Sequence, residues 1–464
     1  MSIVTVQDLL WQLVGVCPPH TSCSGQIDSR PAARPRRGLG ARRPARCGRL
    51  LDMRASTPPP RSDAVIGRRQ GAQVGLASAV AAGVGMLVLL ASARLLPLTE
   101  STDFQTFWAA LFACFGVLSG LSIEVTRSAA TASATPARGP RLAVVALVAT
   151  VACLTLLAVS SALWAPFVFP QHTVMFAALL VLGASAYAGH STLVGALAGS
   201  GRWSTYAATI TLESAVRAAL VGLALLVGTG LFGMAVGATV AAATWLAVWL
   251  TRPAARAALA ARADVAAPAL TRRIGAALAA QGSSALLVVG FPVLLRLTTD
   301  ASEFAAAAPL LLAITLTRAP LLVPLNAYQG VAVAHFVAQR ERGLAAAARP
   351  LAAVAGVGAV GAGLALLVGS PLLRLLGGPD FVVPGTVLAG LVLAATAIAL
   401  LTLTGALTQA LEQHAWYLAG WLVATATAVA LLLTPGTMAG RTLLALTVGP
   451  LAGILVHLVR AARR

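Results

Sequence analysis

The sequence contains no lysine and few acids. Its 33 basic residues other than histidine are all arginine, set against 14 Asp and Glu, and only 10% of the chain is charged. A soluble globular domain carries about a quarter of its residues as charges, so this scarcity argues against one. The five cysteines form no set: Cys17, Cys23 and Cys47 lie in a polar N-terminal region and Cys114 and Cys153 in apolar stretches, which gives neither metal-ligand spacing nor a disulfide framework. There is no Walker A run to support ATP-driven transport by this chain alone, no Gly-rich dinucleotide motif, no HExxH and no GxSxG. A membrane transferase or ligase would gather acids or histidines at one face. Here the polar residues are scattered through apolar segments and at their ends, as along a path lined by helices. No enzymatic centre, metal site or cofactor site is expected.

What the chain has in abundance is apolar length. It is 58% hydrophobic, its mean hydropathy is +0.86, and the apolar residues fall in repeated stretches of ~20, the length a helix needs to cross ~30 Å of hydrocarbon. Six such stretches precede the segment TRPAARAALAARADVAAPALTRR, Thr251 to Arg273, and six follow it; the segment itself carries five Arg and one Asp. This predicts an all-α, polytopic membrane protein of 12 transmembrane helices in two six-helix lobes, 69–250 and 274–464, joined by a basic cytoplasmic linker, 251–273. The formal charge of +19 would suit a nucleic-acid binder, but much of it lies in the first seventy residues and most of the rest in short loops. It is therefore a topology signal, and no nucleic-acid partner is expected. Arg127, Arg138, Arg141 and Arg202 fall in inner loops, whereas the turn Pro97 to Asp103 carries Glu100 and Asp103 and no base. That bias places both termini and the linker in the cytoplasm. Residues 1–68, rich in Arg and Pro as in RPAARPRRGLGARRPARCGR, read as a disordered cytoplasmic tail beside anionic lipid headgroups, or as sequence upstream of the biological start.

Within this frame the second span is expected at Phe104 to Leu121, the third at Leu142 to Leu163, the seventh at Ile274 to Leu295, the eighth at Phe304 to Val331 and the ninth at Leu351 to Val368. PLLRLLGGPDF, after the ninth, reads as a short amphipathic turn at the outer surface. An ionised group in hydrocarbon costs at least ~2.5 kcal/mol, so charges inside spans should face a cavity or a partner. In TLESAVRAAL, Glu213 and Arg217 stand four apart on one helical face, as a structural pair or as cavity lining. Arg318 has no acid within a turn. It needs an acidic side chain from another span, a carbonyl, an anionic ligand or a route to the interface. Pro320 and Pro324 beside it predict an interrupted eighth span bordering a cavity, with Asn326 and Gln329 as further polar lining. Glu124 and Arg127, three apart, read as an ion pair at the inner mouth with a gating role, and His190 reads as a bridge between helices, a role open to Gln329 as well.

Three segments carry a family resemblance. FQTFWAALFACFGVLSGLSIEVTRSAA, GRWSTYAATITLESAVRAAL and LLRLLGGPDF resemble bacterial polysaccharide-biosynthesis membrane proteins of the oligosaccharide flippase type, within the multidrug/oligosaccharidyl-lipid/polysaccharide exporter superfamily. The likeness runs from about Gln70 to the end and rests on the six-plus-six plan more than on any motif. It implies a V-shaped transporter in the bacterial cytoplasmic membrane that moves an anionic polyprenyl-linked saccharide to the outer leaflet, coupled to H⁺, Na⁺ or membrane potential. Glycosyltransferases and a polysaccharide polymerase would be its partners, with membrane lipids around it. On this reading Arg217 and Arg318 would meet the headgroup and Arg127 a phosphate at the inner mouth, since a planar guanidinium matches phosphate oxygens. The alternatives are a drug or small-metabolite exporter using Glu213 for H⁺ or Na⁺ coupling, and a non-transporting scaffold for envelope assembly.

Overall fold

Apolar runs of this length become helices because, without water, only a helix or a closed barrel satisfies every backbone group. The computed structural model describes residues 68–132, 138–339 and 345–462, and apart from one isolated β-bridge its elements are all helices. Residues 1–67, which hold nearly all of the expected tail, lie outside the described residues. The first half contains α1 (Arg68–Leu95), α2 (Leu98–Ala132), α3 (Leu142–Val168), α4 (Thr173–Gly199), α5 (Trp203–Leu226), and a composite span of α6 (Gly230–Val240), a 3₁₀ turn (Ala241–Ala243) and α7 (Trp245–Thr251). After α8 (Pro253–Ala260) come α9 (Ala267–Val288), α10 (Phe291–Leu297), α11 (Ala301–Phe304), α12 (Ala308–Ala338), α13 (Ala345–Gly377), α14 (Gly385–Ala410), α15 (His414–Leu432) and α16 (Met438–Ala462). Among the described residues 11 segments are long and apolar enough to cross a bilayer, and the bent pair α9–α10 makes up to 12. The protein is an all-α, multi-pass membrane protein.

The two halves repeat one packing plan. In the first, α1 packs on α5, α2 and α3 on α4, and α5 on α6; in the second, α9 packs on α15, α12 and α13 on α14, and α15 on α16. Between the halves, α2 lies along α9 and α1 meets α12. Glycines set the first of these seams. A Cβ at Gly116 would stand 2.7 Å from the Ala285 Cβ, and one at Gly120 would stand 2.5 Å from the Ala277 carbonyl oxygen. Small residues allow this approach where packing, rather than a hydrophobic difference, holds helices together.

Several expected boundaries shift. α2 starts directly after Pro97, so Glu100 and Asp103 lie in its first turns rather than in a loop, where acids complement the positive end of the helix dipole. It also runs on to Ala132, which puts Glu124 and Arg127 on the helix. α3 continues past Leu163, through Pro166, to Val168. PLLRLLG is no separate surface turn: it is the last part of α13, which ends where Gly378 takes φ +114°.

The interruption lies in the seventh span and not in the eighth. α12 is one helix through Pro320 and Pro324; each proline removes a single backbone bond, which a packed span tolerates. The break falls between α9 and α10, which are bent by 68°. Pro292 has no N–H to give the carbonyl four residues back, that of Val288, and its ring would clash with it. Gly290 at the joint has an ordinary φ of −78°, and its missing side chain leaves room where a Cβ would stand 3.0 Å from Leu286 O and 3.2 Å from the Ala113 Cβ of α2.

The linker, too, is more than a loop. α8 buries Ala255, Ala258 and Leu259 against a cluster that includes Leu142, Leu193 and Leu197. The strand-like segment after it pairs with the α2–α3 connection: Gly139 N–H donates to Ala263 O (2.9 Å), Ala263 N–H to Pro140 O (2.9 Å) and Leu142 N–H to Ala261 O (2.8 Å).

Candidate functional site

Glu213 and Arg217 face one another because α5 places residues four apart on one side, with the acid N-terminal to the base, the better of the two orders. Both are buried, and an Arg217 Nη2–H donates to Glu213 Oε1. The guanidinium also lies over two rings of α2, 4.9 Å from the centre of Phe112 and 5.7 Å from that of Trp108. Such contacts stabilise a desolvated cation by up to about 2 kcal/mol. The Nε–H of Arg217 has no partner.

The pair forms one wall of a cavity of about 520 Å³ between α1, α2, α4 and α5. Ala81 and Ala82 close it on the α1 side, Phe112, Phe115 and Ile123 on the α2 side, and Tyr187 and His190 on the α4 side, with Tyr206 completing the α5 wall. The rings form a continuous chain, stacked at Trp108 to Phe112 (4.3 Å), Phe115 to Tyr187 (3.9 Å) and Tyr187 to His190 (5.1 Å) and tilted by 52° at Phe112 to Phe115 (5.1 Å). His190 does not bridge helices through its Nδ1, which is buried without a hydrogen-bond partner. It is set by Gly189, where a Cβ would collide with the Trp245 ring at 2.2 Å. The cavity is open rather than sealed, and Ile123 on its α2 wall is 52% exposed.

Arg318 is elsewhere. It does not line this cavity; it is buried, donates from Nη1 to Val288 O (2.7 Å) and sits 5.6 Å from the Phe291 ring centre. That carbonyl is the one freed by Pro292, at the negative end of the α9 dipole. Arg318 therefore uses the carbonyl option among the partners a lone intramembrane Arg needs. One guanidinium nitrogen, Nη2, is left without a partner. The side chains of Asn326 and Gln329 lie outside the described residues.

One turn beyond Ile123, at the linker end of α2, Arg127 makes a two-pronged contact with Glu124 (Nε to Oε2 2.9 Å, Nη2 to Oε1 2.5 Å). The pair inferred from spacing is thus present, but it belongs to a larger cluster centred on Asp264 of the linker. That carboxylate accepts from Arg127 (3.0 and 3.3 Å), Ser128 Oγ (2.8 Å) and Arg273 (3.4 Å). Burial pushes the Asp264 carboxyl up, but the bonds from Arg127 and Ser128 and the charges of Arg127 and Arg273 prevail and hold it below the ordinary carboxylate range. Arg127 is thereby committed to two acids rather than free for a phosphate. Sequence reasoning missed Asp264, although it is the only acid in a segment of five Arg. It also missed the aromatic wall, whose signal was Trp108, Phe112 and Phe115 at helical spacing.

No family model matches the chain. It is 39% identical over 422 residues to the uncharacterized protein Rv1510 of Mycobacterium tuberculosis (strain ATCC 25618 / H37Rv), covering 90% of this chain and 97% of that protein. It is likewise 39% identical over 397 residues to the uncharacterized protein Rv3630 of the same strain, covering 84% and 92%. Among solved structures, a transporter of the MOP superfamily from Pyrococcus furiosus aligns with a TM-score of 0.61 at 16% identity, covering 85% of this chain and 96% of that one. A multidrug resistance MATE family transporter of the same superfamily, in an inward-facing conformation, aligns with a TM-score of 0.62 at 15% identity, covering 84% and 95%. At these identities the likeness establishes the fold: twelve spans in two lobes, as in the MATE transporters.

Proposed function

We propose that this chain, which belongs to the family of the mycobacterial proteins Rv1510 and Rv3630, carries a lipid-linked oligosaccharide or a related cell-envelope polysaccharide precursor across the bacterial cytoplasmic membrane. The fold it shares with MOP transporters supports transport in general. The observation that carries the lipid-linked reading is the mouth of the cavity. α1 packs mainly on α5 and only sparsely on α2, and Ile123 of α2, which lines the open cavity, is exposed, so we take the mouth to lie there. A headgroup entering there would meet buried polar groups while its polyprenyl tail stays in hydrocarbon, so the tail never has to be desolvated and rehydrated. The basic face around the linker supports an N-in, C-in orientation, with the mouth toward the leaflet where such precursors are assembled by glycosyltransferases.

A second reading, export of drugs or small metabolites, is favoured by one observation: two of the solved structures it resembles are named as multidrug resistance transporters. One assay separates the two. The full chain in proteoliposomes should move a fluorescent polyprenyl-pyrophosphate-linked oligosaccharide between leaflets, faster than protein-free vesicles and with or without an imposed ion gradient. No leaflet exchange, together with gradient-driven efflux of a cationic dye, would replace the saccharide reading by drug export.

A further inference from the structure

We infer that the cavity of the N-terminal lobe is a subsite for the uncharged saccharide part of the substrate, with the phosphate left outside it; this rests on the transport reading above. The first reason is charge. The charged pair on its wall, Glu213 and Arg217, neutralises itself: both are buried and hydrogen-bonded to each other. A cation entering would find its carboxylate already engaged by Arg217, and an anion would find its guanidinium engaged by Glu213. Either would bury an uncompensated charge, which is costly in a low-dielectric interior. A neutral ligand carries no such penalty.

The second reason is what the walls still offer. Arg217 Nε–H and His190 Nδ1 are buried polar atoms with no partner, on side chains only 3% and 5% exposed. Buried polar atoms normally have partners, so these two mark where a ligand's polar groups belong. Around them stand the faces and edges of Phe112, Phe115, Tyr187 and Tyr206. A pyranose ring is the complementary object: its hydroxyls can accept from Arg217 and exchange a hydrogen bond with His190, while its apolar C–H face lies on an aromatic ring. The volume, about 520 Å³, falls in the range of roughly 300 to 1,000 Å³ usual for ligand pockets and exceeds what one ring fills.

The test uses the purified full chain in nanodiscs and three kinds of lipid-free probe, the sugars and the cation detected by saturation-transfer NMR with the signal from empty nanodiscs subtracted, and the proton-free anion by ³¹P line broadening. They are neutral sugars (N-acetylglucosamine, galactose, mannose and rhamnose), tetraphenylphosphonium as a cation, and pyrophosphate as an anion. At least one sugar should bind the wild type and neither ion should. Phe115→Leu and Tyr187→Leu should each weaken sugar binding by up to about tenfold, the worth of one aromatic contact. Glu213→Gln should gain pyrophosphate binding and Arg217→Gln should gain tetraphenylphosphonium binding, because each uncovers one charge. Because a single charge change can prevent folding, the double variant Glu213→Gln/Arg217→Gln provides a neutral control that should bind neither ion. Wild-type binding of an ion in place of sugar, or sugar binding indifferent to Phe115→Leu and Tyr187→Leu, overturns the subsite. If the wild type exchanges lipid-linked saccharide between leaflets but binds no sugar here, the subsite fails and transport stands. If it binds sugar but exchanges nothing, transport fails and the subsite stands.

Discussion

Reversing the charge at Arg318 tests the logic of the broken seventh span. In the native protein one guanidinium serves a carbonyl freed by Pro292 and lies against the Phe291 ring. The charged hydrogen bond contributes about 1.5 to 3 kcal/mol and the ring contact about 0.5 to 2 kcal/mol. Against these, holding the cation in the membrane costs at least about 2.5 kcal/mol. Arg318→Met removes all three, so its stability should fall within about 2.5 kcal/mol of wild type. Arg318→Glu is a different matter. It sets a carboxylate against the negative end of the α9 dipole and the negative face of a ring, buried and with no base supplied, at a cost on the order of 3 to 5 kcal/mol. Titration of the purified protein with SDS, followed by tryptophan fluorescence, ranks the variants. A Glu variant as stable as wild type, or a Met variant as damaged as the Glu variant, would refute the idea that Arg318 serves the helix end. Loss of substrate binding in a stable Met variant would instead restore it to the substrate path.

Two further outcomes follow from the seams. Asp264→Asn should loosen the linker and speed tryptic cleavage at the exposed Arg256 and Arg262. Because the folded Asp264 pKa is depressed, its contribution is complete above the unfolded value of about 3.9 and is lost as pH falls through the folded value. The unfolding midpoints of wild type and Asp264→Asn should therefore differ equally at pH 7 and 5 and draw together as pH falls below the unfolded carboxylate value of about 3.9; a gap that does not narrow in acid would mean the carboxylate charge is not what holds the cluster. Gly120→Val would drive a side chain into the Ala277 backbone at 2.5 Å, which cannot rotate away, at about 1 to 3 kcal/mol. Disulfide yield of the pair Val117→Cys with Gly282→Cys, positions in contact across the same seam, should fall in that background, and an unchanged yield would show that α2 and α9 are not held by this approach.

The fold was legible because its cause is written in composition. Apolar length fixes helices in a bilayer, and the helices before and after the Arg-rich segment pack among themselves in a similar order. Short-range pairs were legible for the same reason: Glu213 with Arg217, and Glu124 with Arg127, follow from helical spacing alone. The break was misplaced because two prolines in the eighth span outweighed one in the seventh, yet the combination of Gly290 with Pro292 is the stronger interruption. The least legible feature was the fate of the arginines. With 33 of them and 14 acids, most cannot find a carboxylate, and the structure gives several a helix end instead. Arg318 takes Val288 at the end of α9. Arg94 takes Leu375 and Leu376 at the end of α13, joining the two halves. Arg256 takes Leu250 in the last turn of α7, and Arg441, which also pairs with Glu303, takes Leu432 at the end of α15 as well. The last carbonyls of a helix lack internal partners and carry the negative end of its dipole, so each such contact satisfies an orphan acceptor and a surplus cation together. Searching a sequence for acids near each Arg cannot find this arrangement, since every residue has a carbonyl. The partner is defined only when helix ends meet side chains from other elements, and that depends on packing between segments as far apart as Arg94 and Leu376.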